Sequence, residues 1–328
     1  MQHLRPGTIR LSAVASVAAD GAPVVHVDGE EHPVDLVIAA DGIRSDARAR
    51  WGLDRGIRYA GYTAWRGITT TAGHLADEAG ETWGRGARFG IVPLPDDRVY
   101  WFATHQTPPG GTDDDVLATV HSLFGNWHAP IGALLAATPP EAVLRHDIHD
   151  LVALPASFVH GRGVLLGDAA HAMTPDLGQG AGQAIEDAAT LALLLRGAST
   201  QHLEDALSQY DQLRRPRTRS LWRQSRLTGR IGQAAHPACA TLRDAALRAV
   251  TSAVAAEAWP APNGGRRPSQ KASTVDRSSS AGRPPMTGRS PRLRVPVTPG
   301  RPVAGQSSAA RSARRRPCTW ASRERISW

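Results

Sequence analysis

Gly161–Gly197, GRGVLLGDAAHAMTPDLGQGAGQAIEDAATLALLLRG, is the stretch that decides the fold. Val164-Leu165-Leu166 is a short apolar run suited to a buried strand. It stops at Gly167-Asp168-Ala169-Ala170-His171, so a carboxylate stands where a strand leaves its sheet. In open α/β sheets ligands bind at that end. Pro175 stiffens the loop that follows, and Gly178-Gln179-Gly180 lets the backbone approach a partner closely. The spacing of Ala184, Ile185, Ala188, Leu191, Ala192 and Leu195 predicts a helix from near Ala181, with Gly197 placed to stop it. Asp168 would accept hydrogen bonds from ligand hydroxyls, and the free N–H groups of the first helical turn would donate to an anionic or carbonyl group. Any one of these features alone reads as a tight strand–helix connection. Their succession favours a site, because each costs stability unless something uses it.

GDAAHAMTPDLGQGAGQAIEDAATLA resembles the second FAD-binding motif of the single-component (group A) flavoprotein aromatic hydroxylases. These are the relatives of para-hydroxybenzoate hydroxylase, salicylate hydroxylase and FAD-dependent urate hydroxylase. The resemblance implies that Gly167 and Asp168 bind the flavin ribityl chain. It places Pro175 and the backbone of Leu177, Gly178, Gln179, Gly180 and Ala181 along the isoalloxazine N1–C2=O edge, where a helix N-terminus stabilises developing negative charge. It also implies a reaction. NADH or NADPH reduces the flavin, O2 adds at C4a, and the hydroperoxide delivers one oxygen to an electron-rich aromatic or heteroaromatic ring. Such chemistry relies on the cofactor and a dry pocket, in keeping with a sequence that shows no serine–histidine–acid constellation and no metal-ligand spacing.

Upstream, Thr8–Val17 and Pro23–Val27 read as strands joined around Asp20-Gly21. Val34–Ala40 is an almost wholly apolar strand, as in a sheet covered on both faces. It ends in Asp41-Gly42-Ile43-Arg44-Ser45-Asp46-Ala47-Arg48. Asp-Gly after a strand is ordinarily a turn, but this run is similar to the family's DG motif, which contacts FAD and is linked to the pyridine nucleotide. The resemblance carries over Asp41, Gly42, Arg44, Ser45 and Arg48. The two arginines either pair with a diphosphate or hold Asp41 in place. The family's opening strand–GxGxxG–helix unit has no counterpart here, so relative to that family the chain is expected to be N-terminally truncated.

Gly61–Thr71, Arg88–Leu94 and Arg98–Thr104 are strand-like, with a Pro95-Asp96-Asp97 turn between the last two. Asp113–Trp127 and Pro130–Ala137 read as helices, the first capped by Thr112 or Asp113. The run GYTAWRG followed by GRGARFGIVPLPDDRVYWF looks most like the urate hydroxylase and 3-hydroxybenzoate 6-hydroxylase side of the family. That register implies that Arg88 holds an anionic substrate and that Tyr100 contacts it. With Pro175 these are the candidate catalytic residues, although Arg88 starting a strand and Tyr100 packing in the sheet is the plainer alternative. His146-Asp147-Ile148-His149 reads as a strand with alternating faces rather than a metal cluster, and His171 as positional.

His202–Tyr210 opens a helical region in which Arg214, Arg215 and Arg217 suggest nucleic acid at first sight. The family resemblance makes them structural. Residues 259–328 hold fifteen Lys and Arg against two acids, a net of +13. The whole chain carries +8, so residues 1–258 carry −5 and the basic pI belongs to the tail. Its Pro, Ser, Gly and Arg content without apolar periodicity predicts disorder. Cys239 and Cys318 make no disulfide framework. No stretch suits a membrane span or signal peptide, and a cytoplasmic protein is the expectation.

The expected fold is α/β (α+β), an incomplete Rossmann-like FAD-binding domain with an inserted, mostly antiparallel substrate sheet. Its segments are 1–58 (partial FAD domain), 59–148 (substrate sheet), 149–200 (FAD domain), 201–258 (C-terminal helices) and 259–328 (tail). Two rival readings remain at this point: a catalytically silent flavoprotein remnant, and a nucleic-acid binder acting through the tail. The expected partners are a small aromatic or heteroaromatic substrate and O2, with no specific nucleic acid and no membrane. The sequence leaves oligomeric state open.

Overall fold

The computed structural model describes residues 4–113, 115–196, 202–258 and 292–293. Three short strands, β1 (Ala15–Val17), β2 (Val24–Val27) and β3 (Glu30–Pro33), form an antiparallel sheet around the expected hairpin. The predicted first strand is shorter than its apolar content suggested, and Ser12 lies in the left-handed region, which breaks extension before Ala15.

β4 (Val37–Ala39) leads through a tight turn into α1 (Asp46–Arg50) and then the twelve-residue β5 (Ile57–Ile68). β6 (Gly80–Trp83), β7 (Ala87–Leu94) and β8 (Arg98–His105) follow, with Asp96 and Asp97 both at positive φ in the β7–β8 hairpin. α2 (Val116–Phe124) and α3 (Ile131–Ala136) then lie against the sheet, and β9 (Leu144–Leu151) returns to pair with β5. The cap of α2 is Asp115, whose side chain accepts from Ala118 N at 2.9 Å. Thr112 and Asp113 do not cap it. Asp113 instead accepts from Trp65 Nε1 at 2.7 Å and faces Arg145.

The large sheet runs β6-β7-β8-β5-β9, all antiparallel. One face carries Trp65, Phe89, Trp101 and Ala103, which pack with Val120, Phe124, Ile131 and Leu135 of the two helices into a fully buried apolar core. Residues opposite one another across strands share a face. The other face therefore carries Tyr62, Arg66, Arg88, Tyr100, Phe102 and His146.

The chain then enters β10 (Val159–His160), β11 (Gly163–Leu165), the short α4 (Asp168–His171) and α5 (Gly180–Leu195). β11 pairs with β10 on one side and, in parallel, with β4 on the other. The thirty-residue α6 (Leu203–Gly232) and α7 (Pro237–Ala258) complete the helices. Gly197, the expected helix stop, lies outside the described residues, as does the tail apart from one pair. Arg292–Leu293, expected to be disordered, forms a strand (β12) beside β6, whose edge backbone offers unpaired groups to any extended segment.

β4 is not covered on both faces, since Ile38 is 50% exposed. The helix expected from the apolar spacing is α5; of that set Leu191 is buried while Ile185 is 70% exposed, and the polar Gln183 and Asp187 also face inward.

Candidate cofactor and substrate site

The parallel pairing of β4 with β11 sets Ala39 beside Leu165, so Asp41-Gly42 and Gly167-Asp168 leave the sheet at the same, carboxyl end. Gly167 sits at φ +61°, and a Cβ there would lie 3.1 Å from the Ala184 Cβ, so both backbone geometry and space require glycine. Asp168 opens onto solvent, yet the surrounding protein pushes its carboxyl above the ordinary range, with nearby His171 pulling the other way.

Arg48 ties the two strand-end loops together. It is fully buried, and its three nitrogens donate to Asp54 Oδ1 (2.9 Å), the Ala169 carbonyl (2.8 Å) and the Ile43 carbonyl (2.6 Å). Ser45 is the cap of α1, its Oγ accepting from Arg48 N at 2.9 Å, and Asp41 accepts from Ala47 N at 3.1 Å. Between holding the loop and meeting a diphosphate, Arg48 does the former. Arg44 is exposed and faces outward from the same loop.

Beneath Gly167 lies a buried polar network with no counterpart among the expected site residues. Asp187 accepts from Gly167 N (3.0 Å) and from Arg214 Nε (2.6 Å) and shares a 2.6 Å contact with His171 Nε2. Burial alone would raise its pKa, but His171, Arg214 and the Gly167 N–H hold the carboxyl below its ordinary range. Arg214 also donates to Glu186 (2.7 Å) and to the Gln183 carbonyl and side-chain oxygens. Arg217 and Arg214 together keep Glu186 at about 2. The arginines that suggested nucleic acid are thus ion-paired within the fold, Arg215 with Asp211 included. His171 is fully buried, in keeping with a positional role.

Past His171, Pro175–Leu177 forms a single 3₁₀ turn, Gly178 adopts the left-handed conformation, and α5 begins at Gly180 without a side-chain cap. A Cβ at Gly42, Gly178 or Gly180 would meet nothing within 4 Å. These backbones border open space, and the N–H groups of the first α5 turn point out of the helix end unanswered by a side chain.

The large sheet reaches this loop through Asp176. Its fully buried carboxylate accepts from Arg88 and from Tyr62 Oη (2.9 Å). Arg88 is 3% exposed and also lies 3.2 Å from Glu81. This differs from the expected open fork for an anion: two carboxylates already answer the guanidinium. Burial raises the Glu81 pKa, against the pull of Arg88. α6 presses on the pair with glycines, since a Cβ at Gly229 would fall 2.4 Å from Asp176 Oδ2 and one at Gly232 3.0 Å from Arg88 Cδ. Ser225 Oγ donates to the Thr174 carbonyl at 2.6 Å, fixing the loop to the same helix. Tyr100, by contrast, stands half-buried on the open sheet face, and burial keeps its phenol protonated to higher pH than usual, with Arg66 opposing.

The family profile described as FAD binding domain matches residues 15–225. The chain belongs to the FAD-binding domain family. It is 42% identical over 235 residues to aurachin C monooxygenase/isomerase of Stigmatella aurantiaca, covering 71% of this chain and 61% of that protein. It is 38% identical over 211 residues to the FAD-dependent urate hydroxylase of Klebsiella pneumoniae, covering 62% of this chain and 53% of that one. Among solved structures it resembles K. pneumoniae HpxO complexed with FAD and uric acid, with a TM-score of 0.62 and 33% identity over 70% of this chain and 59% of that one. The chain spans roughly three-fifths or less of the length of these relatives.

The residues present fit the ribityl and pyrimidine side of FAD. Asp168 offers an exposed acceptor, Gly178 and Gly180 offer open backbone, and the uncapped α5 terminus offers N–H donors. Asp187, Gly229 and Gly232 carry no sequence signal beyond that of an ordinary helix surface, and Asp176 none beyond that of a loop carboxylate. The fourfold spacing of Gln183, Asp187 and Leu191 was the one readable cue that a polar stripe faces inward.

Proposed function

We propose that this chain carries the flavin-contacting and substrate-facing parts of an FAD-dependent monooxygenase that uses NADH or NADPH and O2 to hydroxylate an aromatic or heteroaromatic ring. The observation that carries the reading is the Gly167-Asp168 strand exit packed against Ala184 of α5, a helix with an uncapped N-terminus, and followed by a loop that the Asp176–Arg88 pair ties to the large sheet. Bound FAD supplies hydride acceptance and oxygen activation. In this assignment Asp168 accepts hydrogen bonds from ribityl hydroxyls, and the backbone of Leu177, Gly178, Gln179, Gly180 and Ala181 donates to the pyrimidine carbonyl edge. Pro175 shapes that loop, Arg44 and Asp41-Gly42 border the same cleft, and Ser45 and Arg48 act by holding their loop. Arg88 orients Asp176, and Tyr100 contacts the substrate ring as a hydrogen-bond donor.

The relatives' names and the likeness to a structure complexed with FAD and uric acid support the class, and we read the open face of the large sheet as the substrate side. The test is turnover by the FAD-supplemented chain. An added aromatic acid or heteroaromatic substrate should stimulate NADH or NADPH oxidation and yield a product heavier by one oxygen atom. Flavin binding without stimulated oxidation across a panel of such rings would refute the monooxygenase assignment.

A further inference from the structure

The face of the large sheet that bears Arg88 changes character along its length. Where it meets the 3₁₀ loop, Tyr62, Ala64 and Ile148 are buried. Two residues further along β5 stands Arg66, half-buried and with no carboxylate partner among the described residues. It lies directly opposite Phe102 on β8 and Leu144 on β9, and so diagonally from Tyr100 and His146 on the same face. Such diagonal neighbours are about 7–8 Å apart, within reach of a long side chain. His146 Nδ1 is buried without a hydrogen-bond partner. Burial and the Arg66 charge both lower the His146 pKa, so the ring is neutral near pH 7.

Phe102 supplies the apolar part. A Cβ at Gly90 would fall 2.1 Å from its ring, so the ring lies down across β7 in space that only glycine leaves. Tyr100 flanks it at 6.4 Å between ring centroids. An apolar ring surface, an uncommitted guanidinium and an imidazole with one unanswered, inward nitrogen make up one half-exposed patch. Arg88, by contrast, is spent on Asp176 and Glu81.

We infer that Arg66 and His146 form the specificity site for an anionic or carbonyl oxygen carried by the substrate ring, with Phe102 as the surface on which that ring rests. This assignment rests on the reading of the open sheet face as the substrate side. An Arg fork gives a carboxylate or enolate two parallel hydrogen bonds, and a neutral amide gains less from the same donors.

Calorimetric titration of the full chain with salicylate and with salicylamide tests it. Wild type should bind salicylate, and Arg66→Gln should weaken that binding by about tenfold or more while changing salicylamide binding little. Arg66→Lys should fall between the two, and His146→Gln should also weaken salicylate, with circular dichroism confirming that each variant is folded. Equal salicylate affinity in folded Arg66→Gln and wild type, or no salicylate binding by wild type, overturns the site. A parallel FAD titration separates the two ideas: salicylate binding through Arg66 without FAD binding leaves the site standing and removes the monooxygenase reading.

Discussion

On the large sheet the helix-facing side is sealed by α2 and α3, with Phe89, Trp101, Phe124, Ile131 and Leu135 all fully buried. The small parallel pair β4–β11 is braced differently. Its apolar cluster around Val164, Leu165 and Tyr210 is joined to a buried polar network of Asp187, His171, Gln183 and Arg214. Apolar side chains on the same elements stay in water, with Ile38 50%, Ile185 70% and Leu193 63% exposed. One region is thus held mainly by oil-like packing. The other is held by ion pairs whose contribution depends on every partner being present, and it leaves backbone and carboxylates open to a ligand. The stability of the sheet and the openness of the flavin side are separate design features joined by α6, which supplies Arg214 to one and Gly229 and Gly232 to the other.

That contrast can be broken most strongly at its two centres. Asp187→Ala removes the fully buried partner of Arg214 and His171, leaving Arg214 only Glu186 and Gln183, and should cost about 3–5 kcal/mol in urea unfolding. Phe89→Ala should cost a similar ~3–5 kcal/mol through the cavity it leaves. The two should differ in kind: hydrogen exchange should show Asp187→Ala loosening β11 and α5, and Phe89→Ala loosening β7 and β8.

Next in size is acid sensitivity. The folded pKa of Asp187 is depressed, so its contribution is present above the unfolded value of about 3.9 and is lost as pH falls through the folded value. Burial lowers the pKa of His105 and His146 on the large sheet. The unfolded chain therefore takes up their protons first, and stability falls as pH drops below about 6.5. Urea midpoints at several pH values should show two separate declines, the lower one reduced in Asp187→Asn, with Glu186 and the other depressed carboxylates keeping the remainder.

The smallest effect should come from Ile185→Gln, which changes an exposed apolar residue and should alter stability by no more than about 0.5 kcal/mol. A loss of several kcal/mol at that position would mean that the α5 outer face is packed in solution.

Much of this was legible from residue pattern alone. β-branched and aromatic runs located β5, β7 and β8, and the Val164–Leu166 run with its terminal Gly-Asp located the parallel strand and its ligand-facing end. What was not legible has a common cause. Periodicity located the helix, but α5 buries Gln183 and Asp187 with Leu191 while exposing Ile185, so the polar part of its inner face carried no apolar signal. Asp176 was passed over for the glycines beside it, because a carboxylate in a loop gives no sign that a strand Arg 88 positions away in sequence will close on it. An arginine at the start of a strand likewise gives no sign of whether its guanidinium is open to a ligand or, as here, already paired.

The central claim is that the Gly167-Asp168 exit and the first turn of α5 hold the ribityl and pyrimidine portion of FAD. Titrating the full chain with FAD and following quenching of flavin fluorescence tests it most directly. Saturable binding by wild type, weakened about tenfold or more in Asp168→Ala with the fold intact, is the predicted result. Undiminished binding by Asp168→Ala, or no binding by wild type at saturating FAD, would contradict the account.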